Sequence, residues 1–84
     1  MKKPTLFHDT THADRRRQER GLSLDQMKEV VAQHDQRIQH RRGEHGGFVY
    51  EFGKRIEGNQ RIVIAEIKQQ ECWLITGWSE DDEN

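Results

Sequence analysis

The spacing of apolar residues along the chain changes near residue 35. Before that point Leu24, Met27, Val30 and Val31 recur at helical intervals, and His34 extends the same stripe. Ser23-Leu-Asp-Gln26 reads as a capping box, in which the serine oxygen takes the third amide and the glutamine side chain reaches back to the cap. The pattern predicts a helix with one apolar face turned to a core. Further upstream, Thr10 or Thr11 can cap the run from His12 to Arg20, which consists mostly of good helix formers, and Gly21 stands where a left-handed C-terminal cap belongs. This first helix has no apolar stripe beyond Ala13, so it is expected at the flank of the domain, facing water or a ligand.

After residue 35 the period shortens to that of strands. Arg37 to Arg41 fits either a polar edge strand or an extension of the helix, and Gly43-Glu-His-Gly-Gly47 is too rich in glycine to be other than a turn. Phe48, Tyr50 and Phe52 alternate with Val49 and Glu51, as in a half-buried strand. Glu57-Gly-Asn-Gln60 reads as a hairpin loop, Ile62 to Ile67 as a central strand apolar on both faces, and Lys68 to Glu71 as a further turn. Cys72 to Trp78 completes the sheet with residues of high strand propensity. The expected fold class is therefore α+β, with two N-terminal helices packed on a three- to four-stranded antiparallel sheet. One domain is expected over residues 11–78. A weakly ordered segment, 1–10, precedes it, with Leu6-Phe7 packing on the sheet edge or fraying, and a flexible acidic tail, 79–84, follows.

Eighty-four residues suffice for one small core. A hydrophobic content of 31% against 35% charged residues is polar for a folded domain, yet the apolar residues are clustered, which argues against general disorder. The net charge of −1 conceals a division: residues 1–42 hold ten Lys/Arg and six Asp/Glu, and residues 43–84 hold four and nine. A basic helical half is joined to an acidic sheet half. The single cysteine, Cys72, excludes an internal disulfide framework and a cysteine-rich zinc site, and its apolar strand context reads as a buried structural thiol. No stretch is apolar for long enough to span a membrane and the N-terminus lacks the apolar core of a signal peptide, so a cytoplasmic location is the default expectation.

Chemistry is most concentrated on the first helix. His12, Arg16 and Arg20 fall at i, i+4 and i+8, so one helical face carries an imidazole and two guanidiniums, and Arg15 and Arg17 widen the positive field. These are parts for gripping a phosphodiester and moving a proton. The plainer reading is that the arginines pair with Asp14, Glu19 or the acidic half and keep the helix soluble. Tyr50 shares a strand face with Phe48 and Phe52, as a core-edge aromatic does. By alternation Thr76 shares its face with Cys72, Leu74 and Trp78; were that face open, its hydroxyl would suit a phosphate and Trp78 an unpaired base. His8 and His12, and His40 and His45, have no strong metal-ligand spacing and read as surface histidines, so neither metal nor cofactor is expected.

The run Thr11-His-Ala-Asp-Arg-Arg-Arg-Gln-Glu-Arg-Gly-Leu-Ser-Leu-Asp-Gln-Met27, followed by a Val-rich helix, resembles a family of small bacterial domains of unknown function related to RelE-like toxins. Trp73-Leu-Ile-Thr-Gly-Trp78 looks like the last strand of that family. The wider group, named for barnase, EndoU, colicins and RelE, has N-terminal helices packed on a four-stranded antiparallel sheet. The resemblance covers most of residues 8–78, and its specific part is the His-Ala to Arg-Gly segment. It implies a metal-independent endoribonuclease, or a degenerate relative, in a toxin–antitoxin module, cleaving RNA through the ribose 2′-hydroxyl. RNA would be the substrate and a cognate antitoxin the partner. On that model His12 is general acid or base, Arg16 and Arg20 neutralise the phosphorane and Thr76 positions it, while Arg15, Arg17, Tyr50 and Trp78 bind the nucleic acid. The alternatives are a non-catalytic protein-interaction domain, homodimeric through an exposed strand edge, and nucleic-acid binding without cleavage.

Overall fold

The computed structural model describes residues 4–9 and 22–81. Helix α1 spans Leu24–Ala32 and starts as its capping box requires: the Gln26 amide donates to Ser23 Oγ at 3.1 Å and the Ser23 amide donates to Gln26 Oε1 at 2.8 Å. Met27, Val30 and Val31 form its buried side. The helix stops at Gln33, and His34 turns back so that its ring nitrogen donates to the Val31 carbonyl at 2.9 Å while the ring tilts against Phe52.

Five strands follow the alternation of the sequence, with one addition at the N-terminal end. They are β1 (Leu6–Asp9), β2 (Gln36–Arg42), β3 (Phe48–Ile56), β4 (Asn59–Lys68) and β5 (Glu71–Asp81), arranged in the order β1-β5-β4-β3-β2. Pairs β2–β3, β3–β4 and β4–β5 are antiparallel, and β1 runs parallel to β5. The expectation of two helices on a three- to four-stranded antiparallel sheet is thereby corrected to a mixed five-stranded sheet with one short helix among the described residues. The missed strand is four residues long, too short for alternation to reveal. It exists because β5 offers an outer edge, and the Thr5 and Leu6 amides find the Gln70 carbonyl, in the turn just before β5, at 2.9 and 3.1 Å. The helix expected over His12 to Arg20 lies outside the described residues, as do the last residues of the acidic tail.

Other boundaries move for similar reasons. Gln36–Arg42 resolves as an edge strand, exposed at every position and held only through β3. Glu57 and Gly58 both have positive φ, 48° and 83°, as a two-residue hairpin turn requires, so Asn59 and Gln60 are freed to pair with Ile56 and Arg55. Strand β5 runs past Trp78 to Asp81 because Asn59, Gln60 and Arg61 supply partners for Asp81, Glu80 and Ser79.

The two faces of the sheet differ. On the helix face lie Tyr50, Phe52, Val63, Ala65, Ile67, Cys72 and Leu74, closed over by Leu22, Met27, Val30 and Val31. No described element packs on the other, outer face. Two bulges decide what that face carries. In β5, Leu74 pairs with Ala65 but Thr76 pairs with Ile64, leaving Ile75 extra and turning Thr76 away from Cys72 and Leu74. Gly77 then falls on the helix face, where a Cβ would meet Leu22 Cδ2 at 2.9 Å and Met27 Cε at 3.3 Å. In β2, Gln39 pairs with Tyr50 and Arg41 with Val49, so His40 is the extra residue and stands beside Arg41 on the outer side.

Candidate functional site

Strand register sorts the outer face into rows. One row crosses all five strands as His8, Trp73, Glu66, Val49 and Arg41, and the next reads Thr76, Ile64, Glu51 and Ile38 from β5 to β2. The first row contains a carboxylate in the middle of the most apolar strand. Glu66 is 2% exposed, and a charge there needs donors. Three are supplied by the β2–β3 loop: the His45 amide at 2.9 Å, the Gly47 amide at 2.9 Å and His45 Nδ1 at 3.0 Å.

The glycines of that loop make this arrangement possible. The Gly43 amide donates to the Gly47 carbonyl at 2.9 Å, closing the loop over the carboxylate. A Cβ on Gly43 would overlap the Glu66 carboxyl group, and one on Gly47 would overlap the Ile67 carbonyl. Burial alone pushes the Glu66 pKa up, but the His45 side chain, the Gly47 and His45 amides and the nearby imidazole together bring it below its ordinary value. Glu66 therefore stays ionised and fixes His45 through Nδ1. The opposite ring nitrogen, Nε2, is left for other chemistry.

Trp73 supplies the wall behind His45. The imidazole stacks on the indole at 4.2 Å with the planes 7° apart, approaching from the β4 side. From the β1 side His8 stacks at 5.0 Å and 17°, with its Nε2 3.1 Å from Glu71. Arg41, Gly43, Glu44, Val49, Ile75 and Trp73 complete, with His45 and Glu66, a hollow of about 200 Å³. It adjoins an open depression lined by His40, Arg41, Val49, Glu51 and Ile64. Arg41 and Val49 line both. Arg41 spends one donor on the Arg42 carbonyl at 3.1 Å, and a guanidinium carries five.

A larger hollow, about 780 Å³, opens at the β4–β5 turn among Thr5, Leu6, Phe48, Tyr50, Ile67, Gln69, Gln70 and Glu71. Its lining holds no imidazole, thiol or cation, so its size is not matched by reactive groups. Cys72 is fully buried on the helix face, where burial pushes its thiol up to about 12. It stays a neutral, structural group. Among the described residues, no three His, Cys, Asp or Glu cluster so as to hold a metal ion, and no helix is long and apolar enough to cross a membrane.

The residues singled out from the sequence are distributed as follows. Thr76 and Trp78 lie on the outer face, in successive rows, but neither lines any of the three hollows described above. The Trp78 indole donates to Glu80 at 3.0 Å. Tyr50 is on the helix face, its ring 5.7 Å from Phe52 with the Arg37 guanidinium 5.4 Å above it, so Tyr50 and Trp78 point to opposite sides of the sheet. His12, Arg15, Arg16, Arg17 and Arg20 lie outside the described residues. Glu66, Trp73 and Arg41 were not singled out from the sequence; His45 is exposed, as expected of a surface histidine, and the unforeseen feature is its bond to Glu66. The available signal was a lone carboxylate inside Ile62-Val-Ile-Ala-Glu-Ile67, which demanded a partner from a flexible, glycine-rich segment. No family model, curated protein or solved structure matches this chain.

Proposed function

We propose that this chain is a RelE-like, metal-independent endoribonuclease whose RNA lies on the outer face of the sheet. The observation that carries the reading is the grouping of His45, oriented by buried Glu66, with Arg41 around one hollow. Attack by a ribose 2′-hydroxyl on the adjacent phosphate needs a base for the hydroxyl proton and a cation for the charge that gathers on the non-bridging oxygens. His45 Nε2 is the base, in the way a carboxylate-held imidazole serves a nucleophile elsewhere. The Arg41 guanidinium meets the phosphate oxygens. Thr76, one row away, contributes a hydroxyl to the same face, and an unpaired base has the half-buried Ile75 to lie against. A cognate antitoxin would be the partner that keeps such an activity in check.

The reading is tested with purified protein and a labelled single-stranded RNA in excess EDTA. Wild type cleaves to products ending in a 2′,3′-cyclic phosphate, and His45→Ala and Arg41→Ala each lower the rate by about 100-fold or more under conditions where both remain folded; Arg41→Ala keeps the wild-type unfolding midpoint, whereas His45→Ala, which takes a donor from buried Glu66, lowers it. Intact RNA after prolonged incubation with wild type would sink the proposal. One observation favours a second reading, homodimerisation: β2 is exposed throughout, its outer edge is unpaired in the sheet, and Ile38 is 51% exposed on it. Light scattering separates the two, because a monomer at assay concentration excludes the dimer.

A further inference from the structure

The reaction proposed above needs a second proton transfer, because the departing 5′-oxygen leaves poorly as an alkoxide. We infer that His40, held by Glu51, is the general acid that protonates this leaving group; the inference rests on the outer face being the site of RNA cleavage. Three observations lead to it. The β2 bulge places His40 and Arg41 consecutively on the outer side, where regular alternation would send one of them to the helix face. His40 Nε2 lies 3.3 Å from Glu51 Oε1, so the imidazole has a carboxylate of its own, as His45 has Glu66. Arg41 lines both hollows, the one with His45 and the one with His40, so the two imidazoles border neighbouring hollows that share one cation.

This order suits an in-line displacement, in which the attacking and departing oxygens lie on opposite sides of phosphorus. The 2′-hydroxyl proton passes to His45 Nε2 as the O2′–P bond forms. The P–O5′ bond breaks, and the departing oxygen takes the proton of His40 Nδ1. The products are a 2′,3′-cyclic phosphate and a 5′-hydroxyl, with His45 protonated and His40 neutral. The division of labour follows from the carboxylates. Glu66 already accepts two main-chain amides besides the imidazole, whereas Glu51 has His40 as its one hydrogen-bonding partner among the described residues. Glu51 stands at hydrogen-bonding distance as the counter-charge for a protonated His40, the form that an acid presents. The groups facing His40 are Glu51 from β3 and Arg41 beside it on β2.

The test uses two substrates, a labelled single-stranded RNA and uridine 3′-(4-nitrophenyl phosphate), whose nitrophenolate departs without protonation. His40→Ala lowers RNA cleavage by about 100-fold or more and leaves cleavage of the nitrophenyl ester within about threefold of wild type. His45→Ala loses both substrates. His40 is exposed and outside the core, so its variant should keep the wild-type unfolding midpoint. Equal losses on both substrates in His40→Ala, or undiminished RNA cleavage, would overturn the assignment. Failure of wild type on both substrates would instead overturn the nuclease reading itself.

Discussion

Glu66 shows how one residue couples stability to the site. Its carboxylate sits where the strand pattern calls for an apolar side chain, and the three donors it accepts tie the β2–β3 loop down over the sheet. Glu66→Gln keeps the shape but turns an amide donor toward groups that are themselves donors. We expect it to destabilise the fold by about 2 kcal/mol at neutral pH. The dependence on pH has a definite sign. The folded-state pKa is below the ordinary value of 4.5, so the ionised carboxylate contributes stability that is present above that value and is lost as pH falls through the folded value. Urea unfolding of wild type and Glu66→Gln should therefore show a gap at pH 7 that narrows steadily below about pH 4.5. A constant gap would mean that the carboxylate is not held as described. The partner of Glu66 was illegible in the sequence because the loop that supplies it is 21 residues away for His45 and 19 for Gly47.

At the scale of elements, most of the fold follows from local pattern, and the departures come from register. The helix was legible because its capping box and its Met27-Val30-Val31 stripe agree, and the central position of β4 because it is apolar on both sides. The bulges at His40 and Ile75 were not, since neither position nor its immediate neighbours hold a glycine or proline to mark them. They matter most for the site, because they bring Thr76 and the pair His40-Arg41 to the outer face. The Ile75 bulge also sends Gly77 under the helix, and this makes a test. Gly77→Val forces a branched side chain against Leu22 and Met27 and should destabilise the protein by about 1–3 kcal/mol, read from the urea midpoint. With regular alternation Gly77 would face outward and the substitution would be nearly neutral or stabilising.

The described residues form a sheet with a helix and core on one face and two histidine–carboxylate pairs, His45–Glu66 and His40–Glu51, on the other. Charge hinted at a division through the basic and acidic halves of the chain; the first helix, where residue spacing put the candidate chemistry, lies outside the described residues, within which His40, Arg41, His45 and Glu66 gather on β2, β4 and the loop joining β2 to β3. Long-range pairing made this assembly, so no single sequence window contained it. On the proposed reading RNA meets the outer face at Arg41 and His45. The most direct measurement is an NMR titration of ¹⁵N-labelled protein with a single-stranded oligonucleotide carrying 2′-deoxy substitutions throughout, which binds without being cleaved. The account predicts saturable shifts at Arg41, His45, Val49, Glu66 and Trp73, with the helix-face amides of Val63 and Ala65 nearly unmoved. Shifts confined to the helix side of the molecule, or none at saturating oligonucleotide, would contradict it.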